Sequence, residues 1–422
     1  MTPPAASPDI PAPDSDQRPT EDRPRTLLIT LTGRDRPGVT STIFTTLARF
    51  GVEVLDVEQI LLRRRLILGV LVTAPPGWKK LREAVERTAA ELEMSVEVEK
   101  GSGDNRARPE GRSHVTVLGT PLGSAAMAAV AGRIADVGGN IDRIERMARY
   151  PVTAIDLHVS GIAPERLRTM LADEAARQGV DIAVQPANLL RRGMRLIVMD
   201  VDSTLIQGEV IEMLAAHAGC EQEVARVTEQ AMRGELDFAT SLRERVALLA
   251  GLDASALDKV YDELVLAPGA RTTVRTLKRL GYRFAIVSGG FAQITDRLAA
   301  ELGIDFAAAN TLEVSEGKLT GNLVGPVIDR AGKAAALRRF AAECRVPDVA
   351  TIAIGDGAND LDMLNAAGLG IAFNAKPVVQ EAAHAAVNVP YLDTIMYLLG
   401  ISREEIVAAD AAYGIVTPTP PL

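Results

Sequence analysis

The sequence predicts an α/β protein in which two small βαββαβ domains precede a doubly wound parallel-sheet domain that carries a helical insertion. Two observations support this fold class. One order of short apolar strands and helical stretches occurs within residues 26–100 and again within residues 113–186. From Arg195 onward, short β-branched runs alternate with long helical stretches, which is typical of a parallel sheet with helices on both faces.

The first βαββαβ unit follows a proline-rich leader, residues 1–25, which has few apolar residues to bury and which we expect to be disordered. Alternating apolar residues indicate the strands, and apolar residues three to four positions apart indicate the helices. The predicted elements are the strand Thr26–Leu31, the helix Val39–Phe50, the strands Val52–Ile60 and Leu66–Val72, the helix Trp78–Leu92 and the strand Val96–Val98.

A polar, glycine-rich linker, Gly101–Arg112, leads to the second unit, which repeats the same order. Two copies indicate a duplicated or paired domain, because a solenoid needs three or more repeats. The predicted elements are the strand Val115–Leu118, the helix Ser124–Val137, the strands Ile141–Met147 and Ala154–Val159, the helix Pro164–Arg177 and the strand Ile182–Val184.

The third domain is predicted to span residues 195–400, followed by a C-terminal tail over residues 401–422, of which Thr417–Pro421 is expected to be loose. A helical insertion, residues 211–264, follows its first strand. Ligands of such sheets bind beyond the carboxyl ends of the strands, so functional residues are expected directly after each strand. The predicted sheet strands are Arg195–Met199, Arg283–Val287 and Thr351–Ile354.

Composition and charge exclude several classes of protein. The net charge of −9 is unfavourable for nucleic-acid binding, which depends on clustered Lys and Arg. Cys220 and Cys344 are the only cysteines, which excludes a disulfide framework or thiolate metal cluster and suits a reducing cytoplasm. No apolar run reaches the roughly 18 residues that span a bilayer. We therefore expect a cytoplasmic protein that binds neither nucleic acid nor a membrane.

Polar residues follow each of the three predicted strands. Any one of these motifs is common in turns, but their occurrence together, in order, at predicted strand ends and a helix start favours a single site. The residues are Asp200 and Asp202 after the first strand, Ser288 and Gly289 after the second, Asp356, Asn359 and Asp360 after the third, and Lys333 in a helix between the last two strands.

A magnesium site is predicted within this set. Asp200 and Asp202 lie on the same side of an extended segment, where two carboxylates repel each other and favour a nearby dication or a shared proton. Asp356 would supply a third carboxylate, and Asp360 is expected to orient the water ligands of the ion. Oxygen ligands without His or Cys are the set that Mg²⁺ prefers.

The same residues suit phosphoryl transfer. Asp200 can attack phosphorus as a carboxylate nucleophile and form an aspartyl phosphate. Asp202 is placed to protonate the leaving oxygen and later to deprotonate the attacking water. Lys333 would neutralise charge, while the Ser288 hydroxyl and the Gly289 amide would hold phosphate oxygens.

Four motifs of the haloacid dehalogenase superfamily resemble segments of this chain, namely Asp200–Thr204, Ser288, Lys333 and Gly355–Asp360. The resemblance extends over residues 195–399. More narrowly, the run Asp-x-Asp-Ser-Thr-Leu followed by Glu209, together with Ser-Gly-Gly-Phe at 288–291, resembles the phosphoserine phosphatases of that superfamily. This resemblance implies hydrolysis of O-phospho-L-serine, the last step of L-serine biosynthesis, and a helical insertion that acts as a cap over the substrate.

Segments 232–238 and 241–245 of the insertion are similar to the substrate-contacting part of the family's cap. The similarity implies that Arg245 pairs with the substrate carboxylate, which a guanidinium binds bidentately, and that Glu209 takes the substrate ammonium. It also implies that Met232 and Phe238 line the pocket, with Asn359 binding substrate. Without the resemblance, Arg245 and Glu209 would be interpreted as ordinary charged residues of helices.

The two βαββαβ units resemble ACT domains, which are ferredoxin-like ligand-binding units on enzymes of amino-acid pathways. The segment Gly33–Val39 is similar to their ligand-binding loop, which implies that Asp35 and Gly38 bind an amino acid such as L-serine as an effector. The matching segment of the second unit, Gly119–Gly123, lacks the Asp-Arg-Pro-Gly signature. An unpaired sheet edge or face in such small units favours a homodimer.

Two other functions remain open. The Asp200 chemistry could serve a related phosphomonoester or another acceptor. Alternatively, the chain is an amino-acid-responsive regulator with a vestigial phosphatase domain, although the intact set of Asp200, Asp202, Lys333 and Asp356 is evidence against decay.

Overall fold

The computed structural model describes residues 25–103, 111–188, 191, 193, 195–233 and 235–418. The chain divides into two compact units, Met1–Ala107 and Arg108–Leu422. The predicted leader lies outside the described residues except for Arg25, which is the first residue of a strand. Within the described ranges, no helix combines the length and apolar character that crossing a membrane requires.

The first unit is a four-stranded antiparallel sheet with two helices on one face. The sheet order is β2-β3-β1-β4. Leu27, Ile29 and Leu31 of β1 point to the helices and are fully buried, because alternate residues of a strand face the same side. The elements are β1 (Arg25–Arg34), α1 (Val39–Ala48), β2 (Val54–Leu62), β3 (Arg65–Thr73), α2 (Trp78–Glu91) and β4 (Ser95–Ser102).

The second unit begins with a further βαββαβ arrangement, as predicted. Val115 and Val117 of its first strand pack against its helices together with Leu157 and Val159. The elements are β5 (Ser113–Gly119), α3 (Ser124–Asp136), β6 (Asn140–Ala148), β7 (Thr153–Ser160), α4 (Pro164–Gln178) and β8 (Asp181–Pro186).

A doubly wound domain follows in the same unit, which confirms the predicted fold class. Its insertion after the first strand consists of four helices, α5 (Val210–Ala218), α6 (Glu221–Met232), α7 (Phe238–Ala247) and α8 (Ala256–Glu263). The strands are β9 (Leu196–Met199), β10 (Arg283–Phe291), β11 (Phe306–Ser315), β12 (Lys318–Val324), β13 (Thr351–Gly355), β14 (Leu369–Phe373) and β15 (Ala385–Val387). The remaining helices are α9 (Ala270–Arg279), α10 (Ala292–Leu302), α11 (Arg330–Cys344), α12 (Leu361–Ala366), α13 (Pro377–Ala382), α14 (Ile395–Leu398) and α15 (Arg403–Ala411).

One continuous sheet joins the two parts of the second unit, which the sequence did not predict. Its order is β12-β11-β10-β9-β13-β14-β15-β8-β5-β7-β6. The junction is the antiparallel pair of β15 with β8, at Ala385 and Ala183. Asp181 reinforces it, because its carboxylate accepts hydrogen bonds of 2.7 Å from both the backbone N–H and the side-chain amide of Asn388.

The C-terminal tail contains a helix that the sequence analysis did not identify. Residues Arg403–Ala411 form α15, which packs Ile406 into the core. Asp410 of this helix is fully buried and accepts hydrogen bonds from Arg275 at 2.6 Å and Arg279 at 2.7 Å. The sequence did not reveal this anchor, because these ion pairs join residues more than a hundred positions apart.

Candidate active site

The predicted motifs meet because their strands are neighbours. β9 lies between β10 and β13, so the residues after these strands share one carboxyl edge of the sheet. Asp200 and Asp356 line a cavity of about 700 Å³ at this edge. A tight turn follows Asp200, in which the Ile206 N–H donates to the Val201 carbonyl at 3.0 Å and Ser203 adopts a left-handed φ of 55°.

Asp200 is almost completely buried and is held by two hydrogen bonds. One carboxylate oxygen lies 2.6 Å from Lys333 Nζ, and the other accepts the Val201 N–H at 2.8 Å. Burial and the neighbouring Asp360 carboxylate raise the pKa of Asp200 well above its ordinary value, while Lys333 opposes this shift. The ionised form that a nucleophile needs therefore depends on the Lys333 cation.

Lys333 is fully buried between two carboxylates. Its Nζ donates to Asp360 at 2.7 Å in addition to its contact with Asp200. Burial lowers the pKa of Lys333, but the two carboxylates outweigh this effect and hold it above its ordinary value. The second oxygen of Asp360 accepts the Gly357 N–H at 3.0 Å, so Asp360 fixes the lysine to the loop after β13.

Asp202 occupies a different part of the site from Asp200. One of its oxygens accepts the Val210 N–H at the start of α5, and the other accepts the Ser288 hydroxyl, both at 2.9 Å. Burial raises the pKa of Asp202, a shift that these hydrogen bonds oppose. A carboxyl group with a raised pKa is suited to hold a proton and release it to a leaving group.

A group of carboxylates fits a metal ion. One oxygen each of Asp200, Asp356 and Asp360 lies within 4.8 Å of the others. Burial and the Asp360 charge raise the pKa of Asp356 to about 6, although the Thr204 hydrogen bond and the Lys333 charge oppose this shift. A hard dication with oxygen ligands would supply the missing positive charge.

The composition of this group differs from the predicted ligand set. The predicted direct ligands were Asp200, Asp202 and Asp356, with Asp360 behind them. The Asp202 carboxylate lies outside the group, and its two oxygens accept hydrogen bonds from the Val210 N–H and the Ser288 hydroxyl. Asp360 lies inside the group, although both of its oxygens accept hydrogen bonds from Lys333 and Gly357.

The carboxyl-terminal end of β10 contains Ser288 and Gly289. Ser288 is fully buried behind the cavity, and its hydroxyl accepts the Gly290 N–H at 2.7 Å while it donates to Asp202. Gly289 lines the cavity, and a Cβ at this position would lie 2.8 Å from Phe238 of the insertion. A side chain at 289 would therefore displace the phenyl ring.

The helical insertion brings Glu209 and Arg245 to the same cavity as the catalytic candidates. Glu209 accepts a hydrogen bond from the Ser203 hydroxyl at 3.1 Å. Burial and the Asp202 charge raise the pKa of Glu209 to about 7, and burial lowers the pKa of Arg245. Phe238 also lines the cavity, whereas the side chain of Met232 lies outside the described residues.

Asn359 lines the cavity from the loop after β13, as its substrate-binding assignment requires. Four other residues were missed in the sequence. Thr204 is buried and donates to Asp356 at 3.2 Å, and Asn310 donates to the Gly289 carbonyl at 2.8 Å. Arg330 and Lys376 line the cavity. Asn310 could have been found from the sequence, because it is a single polar residue after the run of alanines 307–309. Arg330 and Lys376 could not, because basic residues near predicted strand ends and helix starts are common.

The predicted effector loop lies in the first unit, between β1 and α1. Gly38 has a left-handed φ of 95°, which favours glycine, and precedes the first residue of α1. The Asp35 side chain is exposed, and its N–H donates to the Arg64 carbonyl at 2.8 Å. The loop thus presents polar groups to solvent beside a helix start.

Comparison with family models gives the class of the protein. Residues 197–365 match the model of haloacid dehalogenase-like hydrolases. Residues 25–99 and 112–185 each match a model of the ACT domain. The fold, the site and these matches define a haloacid dehalogenase-like hydrolase that carries two ACT domains.

Whole-chain relatives narrow this class. The chain is 63% identical to a phosphoserine phosphatase of Streptomyces coelicolor over 91% of this chain and 94% of that protein. It is 53% identical to a phosphoserine phosphatase of Mycobacterium tuberculosis over 91% and 95%, respectively. The crystal structure of a probable phosphoserine phosphatase from Vibrio cholerae is 35% identical, with a TM-score of 0.55 over 71% of this chain and 88% of that one. The chain belongs to the phosphoserine phosphatase family.

Proposed function

We propose that the chain hydrolyses O-phospho-L-serine to L-serine and phosphate through an aspartyl phosphate on Asp200. The observation that carries this proposal is the shared cavity, in which Asp200, Asp202 and Lys333 face Glu209 and Arg245. The first three residues supply phosphoryl-transfer chemistry. The other two supply one anion and one cation for the ammonium and carboxylate of an amino acid.

In the first step, an Asp200 carboxylate oxygen attacks phosphorus and the bond to the seryl oxygen breaks. Asp202 gives its proton to that oxygen, so the product leaves as an alcohol. In the second step, Asp202 takes a proton from water, which attacks the aspartyl phosphate and returns Asp200 to its carboxylate form. Lys333, at 2.6 Å from Asp200, favours the ionised nucleophile in the resting state.

Mg²⁺ is the proposed cofactor, held by Asp200 and Asp356 with Asp202 as the third predicted ligand. When bound, the ion neutralises charge on the transferring phosphoryl group. Asp360 is proposed to stand behind these ligands, because it already accepts hydrogen bonds from Lys333 and the Gly357 amide. The donor set contains only carboxylates, which supports Mg²⁺ over a softer metal.

Arg245 and Glu209 are proposed to select the substrate. The Arg245 guanidinium would pair with the substrate carboxylate, and the Glu209 carboxylate would receive the ammonium. The raised pKa of Glu209 fits this role, since a bound ammonium would restore the favourable charge balance that burial removes. Water would be excluded by Phe238 and Met232. The phosphate oxygens would be held by Gly289, Ser288 and Asn359, either directly or through the loops that these residues position.

The test is phosphate release from O-phospho-L-serine with Mg²⁺ by wild type, Asp200→Asn and the control Asp348→Asn, which alters an exposed carboxylate outside the cavity. We expect Asp200→Asn to lose roughly 10³-fold or more in turnover and the control to keep it. Asp200-dependent release from a different phosphomonoester alone would refute the roles of Arg245 and Glu209. No release from any phosphomonoester would favour the regulator.

Regulation by an amino acid is a further part of the proposal. The loop with Asp35 and Gly38 would bind an effector such as L-serine in the first ACT domain, whose proposed bounds are 26–100. The second ACT domain is proposed to span residues 113–186, and the phosphatase domain residues 195–400. We also propose that the protein is cytoplasmic and that it forms a homodimer. L-Serine inhibition that Gly38→Val removes would support the effector site, whereas equal inhibition of both proteins would contradict it.

A further inference from the structure

We propose that Lys376 captures the phosphate group of the incoming substrate at the rim of the active-site cavity. This inference rests on the proposed function, because it assigns the approach of a phosphomonoester dianion to the same site. Lys376 lines the cavity but makes none of the contacts that hold Asp200, Asp202 or Lys333.

The sheet places Lys376 at the carboxyl edge that carries the catalytic residues. It follows β14 by three residues, and β14 pairs in parallel with β13, which ends at Gly355 just before Asp356. Lys376 therefore belongs to the wall formed by the sheet edge, whereas Lys333 reaches the same cavity from helix α11. Arg245 belongs to the opposite, helical wall of the cavity.

The charges in the cavity single out Lys376. The carboxylates that line it are Asp200, Asp202, Glu209, Glu212 and Asp356, and the other lining cations are Arg245, Arg330 and Lys333. Each of those three cations already faces carboxylates. Lys333 contacts Asp200 and Asp360, Arg330 binds Asp362 through two nitrogens at 2.8 and 2.5 Å, and the charges of Glu209 and Glu212 act on Arg245.

Lys376 differs from these cations because no carboxylate in the described part of the chain pairs with it. Its side chain is exposed at the cavity rim. An ammonium group on a flexible four-carbon stem offers three donors to a phosphate without first breaking an ion pair. An anion that enters the cavity could therefore bind Lys376 without the free-energy cost of breaking an existing ion pair.

Hydrogen bonds hold the backbone around Lys376, so the point from which its side chain extends is defined. The Asn374 N–H donates to the Val387 carbonyl at 2.8 Å, and the Gln380 side chain donates to the Ala375 carbonyl at 2.6 Å. Lys376 itself has an extended conformation, with φ −65° and ψ 152°, as the following Pro377 favours. Lys376, which has no carboxylate partner among the residues that the structure describes, thus extends from a hydrogen-bonded loop.

A dianion approaching a cavity lined by carboxylates meets repulsion unless a cation lies on its path. A cation at the rim raises the rate of productive encounter, and this effect weakens as salt screens the charges. Because the ammonium acts on binding and approach, its loss should lower kcat/KM and leave kcat nearly unchanged. Charges on opposite walls would also orient the substrate, with phosphate toward the sheet and carboxylate toward Arg245.

The experiment compares wild type, Lys376→Gln, Lys376→Arg and Lys259→Gln by steady-state phosphate release from O-phospho-L-serine at low and high ionic strength. Lys259 is exposed on α8 outside the cavity, so its replacement removes the same charge elsewhere. For Lys376→Gln we expect kcat/KM to fall about 3- to 10-fold at low salt and less than about 2-fold at high salt. Lys376→Arg and Lys259→Gln should retain wild-type values.

Equal kcat/KM and equal salt dependence in Lys376→Gln and wild type would overturn the inference. So would a fall in kcat that persists at high salt, since that would indicate a role in chemistry or in folding. If wild type released phosphate only from another phosphomonoester, the proposed substrate would fail. The same salt comparison with that compound would still decide the role of Lys376.

Discussion

The two ACT domains share one order of elements but use their sheets differently. In the first, the order β4-β1-β3-β2 is a complete sheet. In the second, the equivalent order β8-β5-β7-β6 continues into the catalytic sheet, because β15 pairs with β8. One supersecondary unit has thus become part of the phosphatase architecture, while its counterpart keeps a sheet of its own.

The faces of the two sheets show the same difference. The face of the first sheet opposite its helices leaves Leu28 and Ile67 40% and 36% exposed. The corresponding face of the second sheet buries Thr116, Leu118 and Asp156, none of them more than 2% exposed. Burial of strand residues on both faces of the sheet therefore distinguishes the ACT domain that packs against the catalytic domain.

The largest expected effect concerns Asp156, which accepts hydrogen bonds from His114 at 2.9 Å, Thr116 at 3.0 Å and Arg191 at 3.2 Å. Asp156→Ala would leave the buried Arg191 without this partner and should cost about 3–5 kcal/mol. The free energy of unfolding is read from the loss of phosphatase activity in urea. The control Glu58→Ala, on exposed β2, should cost less than about 0.5 kcal/mol; similar losses in both variants would contradict the comparison.

A matched pair of leucines gives the next largest effect. Leu118 and Leu28 both lie on the sheet face opposite the helices of their own ACT domain, but Leu118 belongs to the core shared with the phosphatase domain. Leu118→Ala should cost about 2–4 kcal/mol by leaving a cavity, and Leu28→Ala less than about 1 kcal/mol.

The two leucine variants have separate probes. Phosphatase activity in urea reports on Leu118→Ala, and fluorescence of Trp78, the single tryptophan, reports on the first domain. If both variants lost the same free energy of unfolding, the face of the first sheet opposite its helices would also have to be buried against another surface in solution.

The smallest effect on stability is expected at the free edge of the first sheet. β2 exposes Val57, Ile60 and Leu62 by 47%, 47% and 60%, and an apolar edge strand favours pairing with a second copy. Ile60→Lys should change the free energy of unfolding of the domain by less than about 0.5 kcal/mol, yet shift the protein from dimer toward monomer. Light scattering measures the molecular mass, and Glu58→Lys serves as the control. If both variants remained dimers, the dimer interface would not include β2.

The catalytic candidates were accessible to sequence reasoning because parallel strands deliver their carboxyl ends to one edge. Asp200, Asp356 and Lys333 meet as predicted, since each position depends only on a strand end or a helix start. The relation of Asp202 to the carboxylate group was not accessible. The Asp202 carboxylate is held by tertiary contacts, since one oxygen accepts the Val210 N–H and the other accepts the Ser288 hydroxyl, which lies 86 positions away.

The sequence by itself determined the order of elements, the repeated βαββαβ unit and the residues at the strand ends, because periodicity and turn residues act over a few positions. Only the tertiary structure decided that β8 joins β15, that α15 is anchored through Asp410, and that Lys376 lies at the cavity rim without a carboxylate partner in the described ranges. β15 is the three-residue run Ala385–Val387, too short to carry a strand signal of its own. Its pairing depends on hydrogen bonds across some two hundred positions, such as those of Asp181 with Asn388, which no local pattern encodes.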